Sequence, residues 1–446
     1  MSATATVRDP VGEHPARDPV REVVAANRAG RAVGITSVCS AHPLVLEAAL
    51  GQALTDGTVA LVEATSNQVD QFGGYTGQRP AGFRTSVLDL ADRVGLPRDR
   101  VVLGGDHLGP NTWRGLGADA AMDRAADLVH AYVSAGFTKI HLDCSMVCAG
   151  DPPTLSDELV AARAARLARV AEDAAVAATG TSRLVYVVGT EVPVPGGARE
   201  ELSGLTPTTP AAAEATVDHH HAAFAGAGLA DAWERVVGLV VQPGVEFDHA
   251  GVVEYDPTRT GALRGVLDAH PHLAFEAHST DYQTIGSLTA LVRDHWAVLK
   301  VGPGLTFALR EALFALAAME EALVPAAGRS HLLEVLDAAM LREPKWWRDH
   351  HHGDADQQLY ARRYSFSDRV RYYWPDDGVQ AAQQRLFANL AGGVPLPLLS
   401  QYLPDQYTRV RAGVLRAHPR DLVLDRVRDV LAGYARACSA GALEGP

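Results

Sequence analysis

Short runs of β-branched and other apolar residues, each closed by a polar or glycine-rich segment and followed by an Ala- and Leu-rich stretch, recur along most of this chain. The candidate strands are residues 33–38, 59–64, 101–103, 139–142, 184–188, 236–241, 273–276 and 298–301. Strands alternating with helices in this number predict an α/β protein, a closed parallel (β/α)8 or TIM barrel. Unbroken apolar character, as at 236–241, suits a strand covered on both faces. The same alternation also permits a doubly wound open sheet. The polar positions favour the barrel, because each strand is followed at once by a dense cluster. These are Ser40 and His42; Ser66, Asn67 and Gln68; Asp106 and His107; Asp143 and Ser145; Glu191; Gln242 and Glu246; His278, Ser279 and Asp281; and the turn 302–306. In a barrel all of them converge on the C-terminal mouth.

Outside the alternating region the pattern changes. Residues 1–19 are charged and Pro-containing without apolar periodicity, so a disordered arm is expected there, ahead of a helix at 20–28. The barrel is expected over 20–325. Residues 311–323 and 332–340 read as amphipathic helices, and 326–446 as a helical C-terminal extension packed on the barrel. That extension carries Trp346, Trp347, Tyr372, Tyr373 and Trp374 and is interrupted by Pro375, Pro395, Pro397 and Pro404.

Composition narrows the function. With 446 residues, 47% of them apolar and 21% charged, the chain can bury a large core. A net charge of −13 disfavours nucleic acid and anionic membrane as partners. No apolar run is long enough to span a bilayer and the N-terminal stretch lacks the apolar centre of a secretion signal, so the cytoplasm is the expected compartment. Cys39, Cys144, Cys148 and Cys438 are too few and scattered for a disulfide framework, and no second pair completes a metal site with Cys144 and Cys148.

The chemistry-bearing candidates lie at strand ends. At 104–111 an imidazole, His107, and a carboxylate, Asp106, follow a buried strand. Such a His can ligate a divalent ion and such an Asp can exchange a proton with a substrate hydroxyl. His278 is delivered in the same way, between Glu276 and Asp281. A third ligand is required, and the candidates are Glu191 and Glu246, since carboxylate joins imidazole readily around Zn²⁺ or Mn²⁺. Gly302, Gly304, Ser279 and Thr280 follow the last two strands, where barrels form phosphate cradles from backbone N–H groups. Arg363, Arg369 and Arg371 are candidates to hold a terminal phosphate. His219, His220 and His221 lie in a helical stretch; consecutive residues there point in different directions, so they are expected on an exposed helix rather than around one ion. Neither a Gly-Lys-Ser/Thr phosphate loop nor a Gly-x-Ser-x-Gly elbow is present, which removes the usual footholds for nucleotide hydrolysis and esterase chemistry.

Several longer runs carry a resemblance: SVCSAHP at 37–43, EATSNQV at 63–69, QFGGYTG at 71–77, GGDHLGPN at 104–111, KIHLD at 139–143, GTEVPVPGG at 189–197, QPGVEFDH at 242–249, EAHSTDYQ at 276–283 and SDRVRYYW at 367–374. In these the chain resembles the GatZ/KbaZ type of tagatose-bisphosphate aldolase subunit, over almost everything beyond the arm. The resemblance implies a class II aldolase-like barrel acting on ketohexose phosphates in galactitol, N-acetylgalactosamine or tagatose metabolism. Members are described as subunits supporting a separate catalytic aldolase chain, and similar sequences as tagatose-6-phosphate or fructose-6-phosphate 4-epimerases. Both activities concern the C3–C4 bond.

Against catalytic class II chains, His107 and His278 fall where metal-binding histidines are expected, but the preceding strand end supplies Gln242 and Glu246 in place of a histidine. The expectation is therefore a divalent ion, Zn²⁺ first and Mn²⁺ or Mg²⁺ as alternatives, held by His107, His278 and Glu246. Asp106, Asp143 and Glu191 are the catalytic carboxyl groups, with Asp106 or Asp143 taking the C4 hydroxyl proton. Ser66, Asn67, Gln68, Gln242, Ser279, Thr280, Asp281, Gly302, Gly304 and Arg369 are expected to contact substrate. The alternative is a non-catalytic subunit of the aldolase. Expected partners are a ketohexose phosphate, a class II aldolase catalytic subunit and a second copy of the chain in a homo-oligomer.

Overall fold

The computed structural model describes residues 18–189 and 205–442. Residues 1–17, Glu191 and the rest of 190–204 lie outside it. Asp18 opens the first helix, Pro19–Arg28: its carboxylate accepts from the N–H groups of Val20 and Arg21, and proline occupies the first turn. With this cap the helix starts one residue earlier than the apolar pattern suggests.

Ten strands follow in chain order: β1 Ile35–Val38, β2 Ala60–Thr65, β3 Val101–Leu108, β4 Lys139–Leu142, β5 Val185–Gly189, β6 Val236–Val240, β7 Glu246–Phe247, β8 Val252–Val253, β9 Ala274–Ala277 and β10 Trp296–Val301. Eight close into a barrel in the order β1-β10-β9-β6-β5-β4-β3-β2, and neighbours pair in parallel throughout. The (β/α)8 barrel is therefore the fold. β7 and β8 form a small antiparallel ribbon after β6. The eight barrel strands coincide with the eight expected ones; the main difference is β3, which continues through Asp106 and His107 to Leu108.

Because side chains alternate along a strand, residues two apart share a face, and the lumen is layered accordingly. Ile35, Leu61, Val102, Val185, Val237, Ala274 and Val298 pack with Val20 and Val24 of the first helix into an apolar plug at the bottom. Two positions further along β1, β2, β9 and β10 the lumen turns ionic, with Ser37, Glu63, Glu276 and Lys300 all buried. Lys139 of β4 joins this layer at 0% exposure. Another step brings His141 and His278. The main core lies outside, between strands and helices.

The last long helix, Pro419–Ser439, packs against the helices Pro43–Asp56, Ile285–Arg293 and Pro303–Leu323 and against β1. It lies within the helical ring rather than on top of it. Tyr434 Oη donates to the Thr280 carbonyl at 2.7 Å, and Gly34 N donates to the Cys438 carbonyl at 2.9 Å. No helix among the described residues is long and apolar enough to cross a membrane. The triplet 219–221 corrects one expectation: His220 is buried and bonded to the Thr216 carbonyl at 2.8 Å, while His221 stacks on Trp233 at 5.2 Å. The helix face toward the barrel claims the middle ring.

Candidate active site

Consecutive residues of a regular strand point to opposite sides, yet Asp106 and His107 both enter the lumen. The β3–β4 register shifts between Gly105 and Leu108, and His107 takes the left-handed conformation at φ 48°. An irregularity of this kind re-aims side chains at the cost of local strain, on the order of 1–3 kcal/mol for a non-glycine left-handed residue. Ser279, directly after His278, is left-handed too, at φ 50°. Gly104 makes the neighbouring room: a Cβ there would lie 2.7 Å from Glu63 Cγ.

Asp106, His107, His141 and His278 are all buried and bring one ligand atom each within 4.8 Å of one another. Their rings stand edge to face, with centroids 4.8 Å apart for His107 and His141, 4.7 Å for His107 and His278, and 5.2 Å for His141 and His278. Each imidazole has one nitrogen tied to an acceptor. His107 Nδ1 meets Asp143 Oδ2 at 2.8 Å, His141 Nε2 meets the Gly189 carbonyl at 3.0 Å, and His278 Nε2 meets Glu276 Oε1 at 3.2 Å. A neutral imidazole that donates through one nitrogen presents a lone pair at the other. In His141 that lone pair, on Nδ1, accepts from His107 N at 3.2 Å and lies 3.0 Å from Asp106 Oδ1. The cation beside this pair is the Lys300 ammonium, which contacts Asp106 Oδ1. The donor set, three imidazoles with fixed tautomers and a carboxylate, fits a divalent transition-metal ion.

The electrostatics agree in part. Burial, reinforced by the Lys300 ammonium, pushes His278 down to about 3, so it stays neutral. Burial also opposes charge on His107, but Asp106 and Asp143 outweigh it and raise that imidazole above its ordinary value. Burial alone would raise the carboxyl of Asp106; His107, Lys300, His141 and His278 hold it well below the usual carboxylate range. Asp143 is lowered as well, by its bonds to His107 and Ser145, against its burial.

A pocket of about 480 Å³ opens above this cluster, with Asp106, His107, His278 and Lys300 in its lining, within the range of small-ligand sites. Of the residues expected to contact substrate, Asn67, Gln68, Ser279, Asp281 and Gly302 also line it. Others do not. Ser66 is buried beside Thr112, and Thr280 is bonded to the Lys300 carbonyl and to Tyr434. Gln242 folds back on the N–H groups of Gly244 and Val245 at 2.7 and 3.0 Å. Arg369 is buried against His350 at 2.9 Å, and it is Arg371 and Tyr372 that face the pocket. Glu246 stands apart from the histidine cluster: its carboxylate accepts from Phe247 N and Ser279 Oγ, and burial raises it to about 7. The expected phosphate cradle is filled by the chain's own carboxylate. Asp281 Oδ1 accepts from Gly302 N at 2.9 Å and Gly304 N at 2.7 Å, at the start of the helix Pro303–Leu323.

The residues missing from the expectation are His141, Glu63, Lys139 and Lys300. The signal was periodicity: Lys139, His141 and Asp143 alternate with Ile140 and Leu142, which places the polar set on the lumen side.

Comparison with known proteins follows the fold. The family model described as D-tagatose-1,6-bisphosphate aldolase subunit GatZ/KbaZ-like matches residues 20–439. A crystal structure from Sinorhizobium meliloti 1021, described as a probable tagatose 6 phosphate kinase, is similar over 91% of this chain and 100% of its own, at 49% identity and a TM-score of 0.84. The fructose-bisphosphate aldolase of Campylobacter jejuni is similar at 12% identity and a TM-score of 0.42, over 83% of this chain and 91% of its own. The YdjI aldolase of Escherichia coli K12 is similar at 11% identity and a TM-score of 0.40, over 86% and 98%.

Proposed function

Since the chain belongs to the D-tagatose-1,6-bisphosphate aldolase subunit GatZ/KbaZ-like family, we propose that its mouth binds one divalent ion and works at the C3–C4 bond of a ketohexose phosphate. The activity we assign is 4-epimerisation, between tagatose 6-phosphate and fructose 6-phosphate, by retro-aldol cleavage and re-addition. One observation carries this reading: three imidazoles, each with one nitrogen tied to an acceptor, converge with an ionised carboxylate, and His107, His278 and Asp106 of this cluster line the pocket.

His107 and His278 would hold the ion, and His141 would join them by exchanging the His107 N–H on its Nδ1 for the ion, with Zn²⁺ favoured over Mn²⁺ or Mg²⁺ by the nitrogen ligands. Bound there, it supplies Lewis-acid polarisation of a ketose carbonyl. Asp106 is the base. As C3–C4 breaks and C4 becomes a carbonyl, the C4 hydroxyl proton passes to Asp106, and it returns when the bond re-forms on the other face. Asp143 is engaged by His107 and Ser145, so it orients the imidazole rather than taking this proton. Arg371, which lines the pocket and lies over Tyr372 at 4.6 Å, would receive the phosphate. Phosphoryl transfer, which the description of the Sinorhizobium relative names, has no Gly-Lys-Ser/Thr loop here to support it.

The family description favours a second reading, a subunit that sustains a separate aldolase chain. The test is to incubate the purified chain alone with Zn²⁺, Mn²⁺ or Mg²⁺ and tagatose 6-phosphate or the 1,6-bisphosphate, following epimer and triose phosphates. Epimer formed alone and lost in His107→Ala supports the first reading. Silence alone, with activity on adding a class II aldolase chain, supports the second.

A further inference from the structure

Below the histidines lies a second set of ligand atoms, of which the chemistry above uses only Asp106. Glu63, Asp106 and Glu276, all buried, bring carboxylate oxygens within 4.8 Å of one another. Oxygen-only groups of this kind suit hard divalent ions. Among these oxygens, however, sits the chain's own ammonium. Lys300 Nζ is 3.1 Å from Glu63 Oε2 and 3.3 Å from Glu276 Oε1, and it contacts Asp106 Oδ1. Lys139 Nζ braces the same glutamates from the other side, 2.6 Å from Glu63 Oε1 and 2.7 Å from Glu276 Oε2. Each glutamate therefore spends one oxygen on each lysine.

The chain contains three lysines, Lys139, Lys300 and Lys345; two of them stand in this nest while arginine serves almost everywhere else. A guanidinium is a planar fork, whereas an ammonium offers donors in three directions from a single nitrogen. Three carboxylates around one point require the second geometry. The two lysines differ in one respect: Lys300 lines the pocket and Lys139 does not.

We propose that the Lys300 ammonium is a built-in cation filling a second, carboxylate-lined cation position beside the histidines, so that the mouth takes one divalent ion and presents a fixed positive charge next to it. Toward substrate, Lys300 is then an electrostatic group facing the oxygens on which negative charge develops, and this part rests on the reading of the preceding section. The occupancy of the nest does not. With three carboxylates around it the nitrogen carries no free lone pair, so it does not act as a Schiff-base nucleophile.

The experiment counts ions. Full-length wild type, Lys300→Met and the double variant Lys300→Met, Glu63→Gln are equilibrated with excess Mn²⁺, freed of unbound ion and analysed for metal per chain. The expected result is one more Mn²⁺ per chain in Lys300→Met than in wild type, lost again in the double variant. Equal content in wild type and Lys300→Met overturns the proposal. A wild type without Mn²⁺ beside a Lys300→Met chain with one would sink the histidine site and leave this inference standing; one ion in both does the reverse. Should Lys300→Met not melt cooperatively, wild-type crystals with Mn²⁺ decide. Anomalous density confined to the histidines supports the proposal, and density among Glu63, Asp106 and Glu276 overturns it. Borohydride added with the ketose phosphate should leave Lys300 unlabelled; a reduced adduct there would also overturn it.

Discussion

Asp143 and His141 test the metal reading residue by residue. The Asp143 carboxylate fixes the tautomer of His107, so Asp143→Asn should weaken divalent-ion binding by roughly 10–100-fold without removing a ligand. His141→Ala should abolish binding, while Glu246→Gln leaves it unchanged; calorimetric titration with Zn²⁺ against a chelator separates the three. Glu246 has a different signature. Burial raises its carboxyl from 4.5 to about 7, so the folded chain binds this proton more tightly than the unfolded one. Its contribution to stability is therefore greatest at acid pH and declines as pH rises from 4.5 to about 7, by on the order of 3 kcal/mol. Glu246→Gln should remove that decline, read from denaturant midpoints at the two ends of the range. Asp106, His107 and His278 are legible in the sequence because an imidazole beside carboxylates stands out at the end of an apolar run. His141 is harder to see, because it sits inside a strand, where the alternation of 139, 141 and 143 with Ile140 and Leu142 is its signal. Glu246 attracts attention in its place because polar neighbours surround it, yet it turns to Phe247 and Ser279.

At the scale of elements, strand positions follow from β-branched runs, but the shift that ends β3 does not, since nothing in GGDHLG announces a left-handed histidine. The wall of the pocket is equally hard to read, because it comes from far along the chain. The segment at 367–374 is pinned by Asp368, itself left-handed at φ 44°, which pairs with buried Arg310 at 3.2 Å and accepts from Thr306. This anchor points Arg369 toward His350 and leaves Arg371 at the pocket; the residue expected there from sequence is Arg369. Arg371→Met should raise KM for a phosphorylated ketose by roughly 10–100-fold, the worth of a charge-assisted hydrogen bond or two, with little change in kcat. A parallel loss in kcat would assign Arg371 to the transition state instead.

For the whole molecule, the barrel class is legible from alternation, whereas the role of the C-terminal part is not. An amphipathic helix at 419–439 looks like any surface helix until its neighbours are known. It covers β1 and seals the seam between the first helix of the ring and the last two. Removing 419–446 should therefore abolish the cooperative thermal melt rather than trim an appendage, because Val45, Leu50, Leu288 and Leu309, all buried, belong to the helices it covers. A truncated chain that melts as wild type would show that the ring closes without it.

Placing the sealing helix so late has a consequence during synthesis. While the ribosome is still translating, β1, ending at Val38, emerges about 380 residues ahead of the piece that must cover it, starting at Pro419. Between the two the nascent chain is an incomplete cylinder with an apolar seam exposed, a species prone to off-pathway association. Chaperone demand should fall on the period before residues 419–439 leave the exit tunnel, and the mouth of the barrel can mature only afterwards.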